Sequence, residues 1–313
     1  MTTDVKIYPL VLPWGRFGLY CFFIDAPEPA IVDTGITVSP TNGMAPTLAE
    51  LGRKIEDVQW ILLTHGHIDH LGGARALWEL TGRRAQVAIH EADAPLLRSR
   101  RAHVEQYLDV RQQYLNDPAG EGHQTAMAGE AISGEMEPTL LLKGGESIPL
   151  GGGVNVSVHH LPGHTAGSVA YVVDGQRSVF VGDAVQIHGA ANGFPGYEDP
   201  AAYRASLEYL RDEVQPERLY LGHPYRSAEG VPYGVELDAG QARKALQESL
   251  DIEARIAAAA NRCLVNGLQE TESVYSPFAP VAEELGYTGD PTLEPSPFFT
   301  TMHAYRIAAG QAR

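Results

Sequence analysis

Three histidines and a carboxylate fall within the six residues His65-Gly-His-Ile-Asp-His70, directly behind the apolar run Val58-Gln-Trp-Ile-Leu-Leu63. The run has the length and composition of a strand. Gly66 lets the backbone turn tightly enough for close neighbours to converge on one point. Neutral imidazole nitrogens and carboxylate oxygens suit zinc, and iron or manganese less specifically. A chain carrying this string is expected to present it at a strand end as a metal site; the alternative is a solvated loop.

The rest of the chain supplies further donors. His164 sits in Leu161-Pro-Gly-His-Thr-Ala-Gly-Ser168, Asp183 in Val179-Phe-Val-Gly-Asp183 and His223 in Leu219-Tyr-Leu-Gly-His223. Each follows an apolar run and a glycine. Rigid strands fix such ligands while glycine permits close approach, as a preformed metal cavity requires. With His65, His67, Asp69 and His70 they make seven potential ligands.

On these motifs the chain resembles the metallo-β-lactamase superfamily over about residues 5–225. The resemblance implies an α/β fold, the four-layer αβ/βα sandwich, with the site at the edge shared by two sheets. It implies two divalent metal ions, zinc foremost with iron or manganese as alternatives. His65, His67 and His164 would hold one, Asp69, His70 and His223 the other, and Asp183 would bridge them. The long gap between His70 and His164 departs from compact members, and a helical insertion at about 91–138 accounts for it. With that insertion and a helical C-terminus, the chain is similar in architecture to the thioester and lactone hydrolases of the superfamily, such as the glyoxalase II group and quinolone-pathway thioesterases. The expected organisation is a catalytic domain over 1–233 and a C-terminal helical region over 234–313 that walls the substrate pocket.

Local patterns agree with alternating strands and helices. Strand-like runs occupy Val5–Leu12, Gly18–Ile24 and Ala30–Gly35, then Gln86–His90, and a second series runs from Thr139 to Val181 with Arg218–Leu221 beyond it. Helical spacing marks Ala45–Lys54, Ala74–Leu80, Ala201–Asp212 and Val235–Val265. Within the insertion, Asp117–Glu137 is rich in Gly and Ala and reads as a mobile lid. Arg98, Arg100, Arg101 and His103 form its basic cluster, either a solvated helix face or a substrate-facing patch. Phe298, Phe299, Met302 and Tyr305 recur at helical spacing and are candidates for core or for the pocket wall.

Composition narrows the partners. The formal net charge is −16, from 23 basic and 39 acidic residues, which argues against a polyanionic partner. A small-molecule substrate is expected, with neither nucleic acid nor membrane, in a monomer or a homodimer. Two cysteines, Cys21 and Cys263, make no disulfide framework and fit a reducing compartment as buried small hydrophobes. Met1-Thr-Thr-Asp-Val-Lys has no basic segment leading into an apolar core, so a cytoplasmic location is expected.

The expected chemistry is hydrolysis of a thioester or lactone/ester by a metal-bridging hydroxide, with Asp183 as bridging ligand and Asp69 both ligand and proton shuttle. Thr64, Asp33 and Thr165 are candidates to orient the ligand rings. No Tyr stands immediately beyond Asp183, and His188, Tyr197 and Tyr225 are the candidates to face the substrate. The alternatives are a mononuclear iron persulfide dioxygenase, which would leave Asp69, His70 and His223 idle, a phosphodiesterase or nuclease, which the acidic balance opposes, and a non-catalytic binder, which predicts lost ligands.

Overall fold

The computed structural model describes residues 5–14, 17–190, 193–292 and 296–312. Strands β1 (Lys6–Trp14), β2 (Phe17–Asp25), β3 (Ala30–Val32), β4 (Trp60–Leu62), β5 (Gln86–His90) and β6 (Leu140–Leu142) form one six-stranded sheet in chain order. β1 and β2 pair antiparallel from Lys6 opposite Asp25 to Trp14 opposite Phe17, and β3 to β6 run parallel. The parallel strands are short continuous apolar runs because both faces are covered. The second sheet holds β7 (Ser147–Pro149), β8 (Asn155–His160), β9 (Val169–Val173), β10 (Ser178–Phe180), β11 (Arg218–Tyr220) and β12 (Glu236–Asp238), in the order β12-β11-β10-β9-β8-β7. There β10 and β11 alone run parallel.

Phe22, Leu62 and Ala88 of the first sheet meet Val156, Phe180 and Tyr220 of the second in a core between the sheets. The Phe180 and Tyr220 rings stack there at 4.7 Å. Helices α1 (Ala45–Glu50), α2 (Ile68–Leu71), α3 (Ala74–Leu80) and α4 (Ala94–Arg98) follow strands of the first sheet, and α1, α3 and α4 cover its outer face. Beyond the second sheet lie α7 (Pro200–Tyr209), α8 (Ala239–Asn266), α9 (Ala279–Leu285) and α10 (Pro297–Ala308). The result is the helix–sheet–sheet–helix sandwich. α8 starts with a reciprocal cap between Asp238 and Gln241 and buries Ala242, Leu246, Ile256 and Cys263 at helical spacing. Cys21 and Cys263 are buried and unpaired. Among the described residues no helix is long and apolar enough to cross a membrane.

The segment read as a lid, Asp117–Glu137, is mostly helix α6 (Gly120–Ala131), docked on α5 (Arg100–Tyr114). Ala128, Ala131 and Ile132 pack against Ile68, Val104 and Leu108. Small residues, which read as loop in isolation, let this helix approach the ligand-bearing turn closely: Ser133 N donates to Gly72 O at 2.7 Å and Thr37 N to Ala131 O at 2.8 Å. The basic cluster is spent inside the same segment. Arg98 pairs with Glu137 at 2.7 Å, Arg101 with Glu105 at 2.9 Å, and buried His103 donates from Nε2 to Leu96 O at 2.9 Å. Arg100 donates to Ile132 O at 2.5 Å.

Candidate metal centre

Every sequence-predicted donor leaves the C-terminal end of a strand. His65 to His70 follow β4, with His67 at the start of α2; His164 follows β8, Asp183 follows β10 and His223 follows β11. Two glycines let these loops close over one another. A Cβ at Gly182, where φ is +49°, would lie 2.3 Å from Thr64 Oγ1, and one at Gly222 would lie 2.5 Å from Asp183 Oδ1.

All seven donors converge. His67 Nδ1 lies 2.9 Å from His164 Nε2, and His70 Nε2 lies 3.3 Å from His223 Nε2. His223 Nε2 is 3.1 Å from Asp69 Oδ2. Asp183 stands between the two sides: its carboxylate is 3.3 Å from His70 Nε2, 3.4 Å from His223 Nε2 and 3.7 Å from His164 Nε2. Within 4.8 Å of one another the donor atoms form the groups His65–His67–His164, His65–His70–Asp183 and Asp69–His70–His223.

These residues fit a pair of divalent cations. His70 Nδ1 donates to Asp33 Oδ2 at 2.8 Å, His223 Nδ1 to Gly18 O at 2.8 Å and His164 Nδ1 to Gly196 O at 2.7 Å. His65 Nδ1 lies 3.1 Å from Thr64 Oγ1, whose own proton goes to Asp33 Oδ2 at 2.8 Å. A ring that donates outward presents a lone pair inward. His65 Nε2 and Asp183 Oδ1 are buried there without a hydrogen-bond partner, an arrangement costly unless a cation takes the lone pairs. Burial drives His65 well below the usual imidazole range, His67 down to about 3 and His164 also down, so these three stay neutral donors. On the other side burial is outweighed by carboxylates: Asp183, Asp69 and Asp33 push His70 well up, and Asp183 with Asp69 pushes His223 to about 10. Asp69 and Asp183 fall below the usual carboxylate range, since His70 and His223 overcome the opposing effect of burial.

Of the candidates to face a substrate, Tyr225 alone reaches the site. It lines the cavity with its ring 5.7 Å from that of His223. His188 does not: its charged neighbours are Glu248, Arg255 and Glu229, away from the cavity wall. The left-handed turn at Ile187, φ +51°, rotates the chain so that Gln186 faces the centre in its place. Tyr197 is fully buried, stacked on Tyr203 at 4.4 Å with its hydroxyl 3.2 Å from that of Tyr305. Asp33 and Thr64 orient ligand rings. Thr165 does not touch one; its hydroxyl donates to Asp93 Oδ2 at 2.7 Å. Gln186 and Asp93 had no signal in the sequence, because neither stands in a motif.

Five of the donors, His67, Asp69, His164, Asp183 and His223, form the floor of a cavity of about 390 Å³. Val110 of α5, Phe194, and Phe299, Ala304 and Ile307 of α10 supply apolar wall opposite them. Phe298, Met302 and Tyr305 turn the other way, into the helical core.

The family model of the metallo-beta-lactamase superfamily matches residues 14–223. The chain belongs to the metallo-beta-lactamase superfamily. The matched stretch ends on His223 and so contains all seven donors. Members of this superfamily bind divalent metals, typically zinc. A hydroxyacylglutathione hydrolase of Rhodopseudomonas palustris (strain BisB18) is 29% identical over 197 residues, 63% of this chain, which spans only 60% of that relative's length. A second hydroxyacylglutathione hydrolase, from Hyphomonas neptunium, is 27% identical over 239 residues, 76% of this chain and 75% of its own. Among solved structures, a metallo-beta-lactamase family protein from Thermus thermophilus superposes with a TM-score of 0.68 at 22% identity, covering 98% of this chain and 94% of its own. At that identity the likeness is one of fold, and it takes in the C-terminal helices as well as the sheets of this superfamily member.

Proposed function

We propose that the chain is a two-metal hydrolase that cleaves a thioester or a lactone/ester with an apolar acyl part. The observation that carries this reading is the convergence of seven donors, five of which line a cavity that also has apolar walls from α5 and α10. The two relatives named hydroxyacylglutathione hydrolase, enzymes of a thioester, support it.

Two divalent cations at such a site activate water and polarise a carbonyl. The chain's own groups do the rest. Asp33, Thr64 and the carbonyls of Gly18 and Gly196 hold the imidazoles in the tautomers that present lone pairs inward. Asp69 has the most open of the ligand carboxylates, with a side chain 20% exposed, and its Oδ2 takes the proton that the attacking water loses. Tyr225 is kept protonated by burial and by the Asp183 and Asp69 charges. Its buried hydroxyl faces the Asp183 carboxylate at the edge of the donor set and would donate to the carbonyl oxygen of a substrate that reaches that edge. The apolar wall excludes water and takes the acyl chain. A thiol with a pKa near roughly 8.5 departs as thiolate without an acid, whereas an alkoxide needs a proton.

Elemental analysis of protein purified without added metal, run beside a panel of thioesters and lactones, tests the reading. About two zinc ions per chain with turnover of either bond is the expected result. About one iron per chain, with oxygen uptake on a persulfide and no hydrolysis, overturns it.

A further inference from the structure

His65 and His67 come from one loop and His164 from another, and ring nitrogens that meet across the gap, His67 Nδ1 and His164 Nε2 at 2.9 Å, would no longer tie the loops to each other once both lone pairs were given to a cation. A carboxylate spans the gap. Asp93 lies between β5 and α4 at the position from which an Asp ordinarily caps its own helix, yet it makes no cap bond. Its side chain turns away across two other loops. Oδ2 accepts from Gly66 N at 2.7 Å and from Thr165 Oγ1 at 2.7 Å, and Oδ1 accepts from Gly167 N at 2.8 Å. The residue is 3% exposed, so those three donors have no water to turn to. Both loops make room for it with glycine: a Cβ at Gly167 would lie 2.4 Å from Asp93 Cγ, and one at Gly66 3.1 Å from Asp93 Cβ.

Gly66 adjoins His67 and Thr165 adjoins His164, whereas the remaining donors are anchored elsewhere, His70 on Asp33 and His223 on the Gly18 carbonyl. We propose that Asp93 is a positioning residue for one metal subsite, locking the His67 loop to the His164 loop and so setting the metal affinity of the three-histidine group without setting that of Asp69–His70–His223. This rests on the two-metal reading above. Without the carboxylate, three buried donors must find water, the loops part, and the imidazoles lose the geometry they now hold before a metal arrives.

The test is a zinc titration in competition with a chromogenic chelator, on the full chain stripped of metal. It compares the wild type with Asp93→Asn, which puts an amide where two donors point, and with Thr165→Val, which removes one bond and keeps Asp93. Wild type should take up about two zinc ions, and each variant should keep one at wild-type affinity while losing about 10- to 100-fold in the other. In a His164→Ala background, which already lacks the three-histidine group, adding Asp93→Asn should change the remaining affinity no further. Should Asp93→Asn not fold, Thr165→Val decides alone. The proposal is overturned if both ions stay at wild-type affinity while the melting temperature falls, or if both weaken alike. Failure of the two-metal reading looks different: the wild type itself then takes up fewer than two.

Discussion

Asp33 accepts three hydrogen bonds at a strand end, from Thr64 N and Oγ1 and from His70 Nδ1, each 2.8 Å long. One buried carboxylate therefore orients His70 directly and His65 through Thr64. At this scale the proposed chemistry has sharp consequences. Asp183→Asn or His67→Ala should bring hydrolysis to background while circular dichroism shows an intact fold; retained turnover in either rules out the two-metal mechanism. Tyr225→Phe should lower kcat about 10- to 100-fold with KM little changed, because its donation matters most as charge develops on the carbonyl oxygen; an unchanged kcat removes Tyr225 from the reaction. The candidate ligands were legible in the sequence because each follows a strand and, in most cases, a glycine, a local pattern. Asp93 and Gln186 were not, since their partners lie far along the chain: Thr165 is 72 residues from Asp93. His188 was misplaced by one left-handed residue at Ile187, and no composition rule registers such a turn.

Among elements, α5 and α10 decide what the floor of donors can act on. Ile307 is 48% exposed and lines the cavity. Ile307→Glu should therefore raise KM for substrates with long apolar acyl chains, spare short ones and leave the melting temperature unchanged; a uniform change across chain lengths would place the acyl group elsewhere. α5 also carries a pH dependence. Burial lowers His103 to about 4 in spite of its bond to Leu96 O. The unfolded chain, with an ordinary imidazole near 6.5, takes up a proton that the folded chain refuses, so stability is full above that pH and falls as the pH drops towards 4. The loss between pH 7.5 and 5 is about 2 kcal/mol. Denaturant unfolding at both values, in wild type and His103→Gln, should show a flatter pH response in the variant. The helices of the insertion were visible as periodicity, but α6 was not, because its Gly and Ala residues gain meaning only from the surface they approach.

Taken whole, the molecule assembles its site from two sheets. His65, His67, Asp69 and His70 follow a strand of the first, and His164, Asp183 and His223 follow strands of the second. The layered class was legible from the alternation of elements, while the order of the strands within each sheet was not, since periodicity carries no information about which strands pair. A bound cation would add to the packing and the hydrogen bonds that already join the two halves, so removing metal with a chelator should lower the melting temperature, and re-adding zinc should restore it in proportion to the logarithm of its concentration. A melting temperature indifferent to zinc would mean that the donors hold none. The division between sheets also has a bearing on how the protein is made. A ribosome that has not yet released residue 223 has built a chain with an incomplete donor set, displaying the His65–His70 string in the open beside cellular zinc. The full donor set would therefore exist only after residue 223 is made, and a chain cut short before it would keep the His65–His70 string without the complete site.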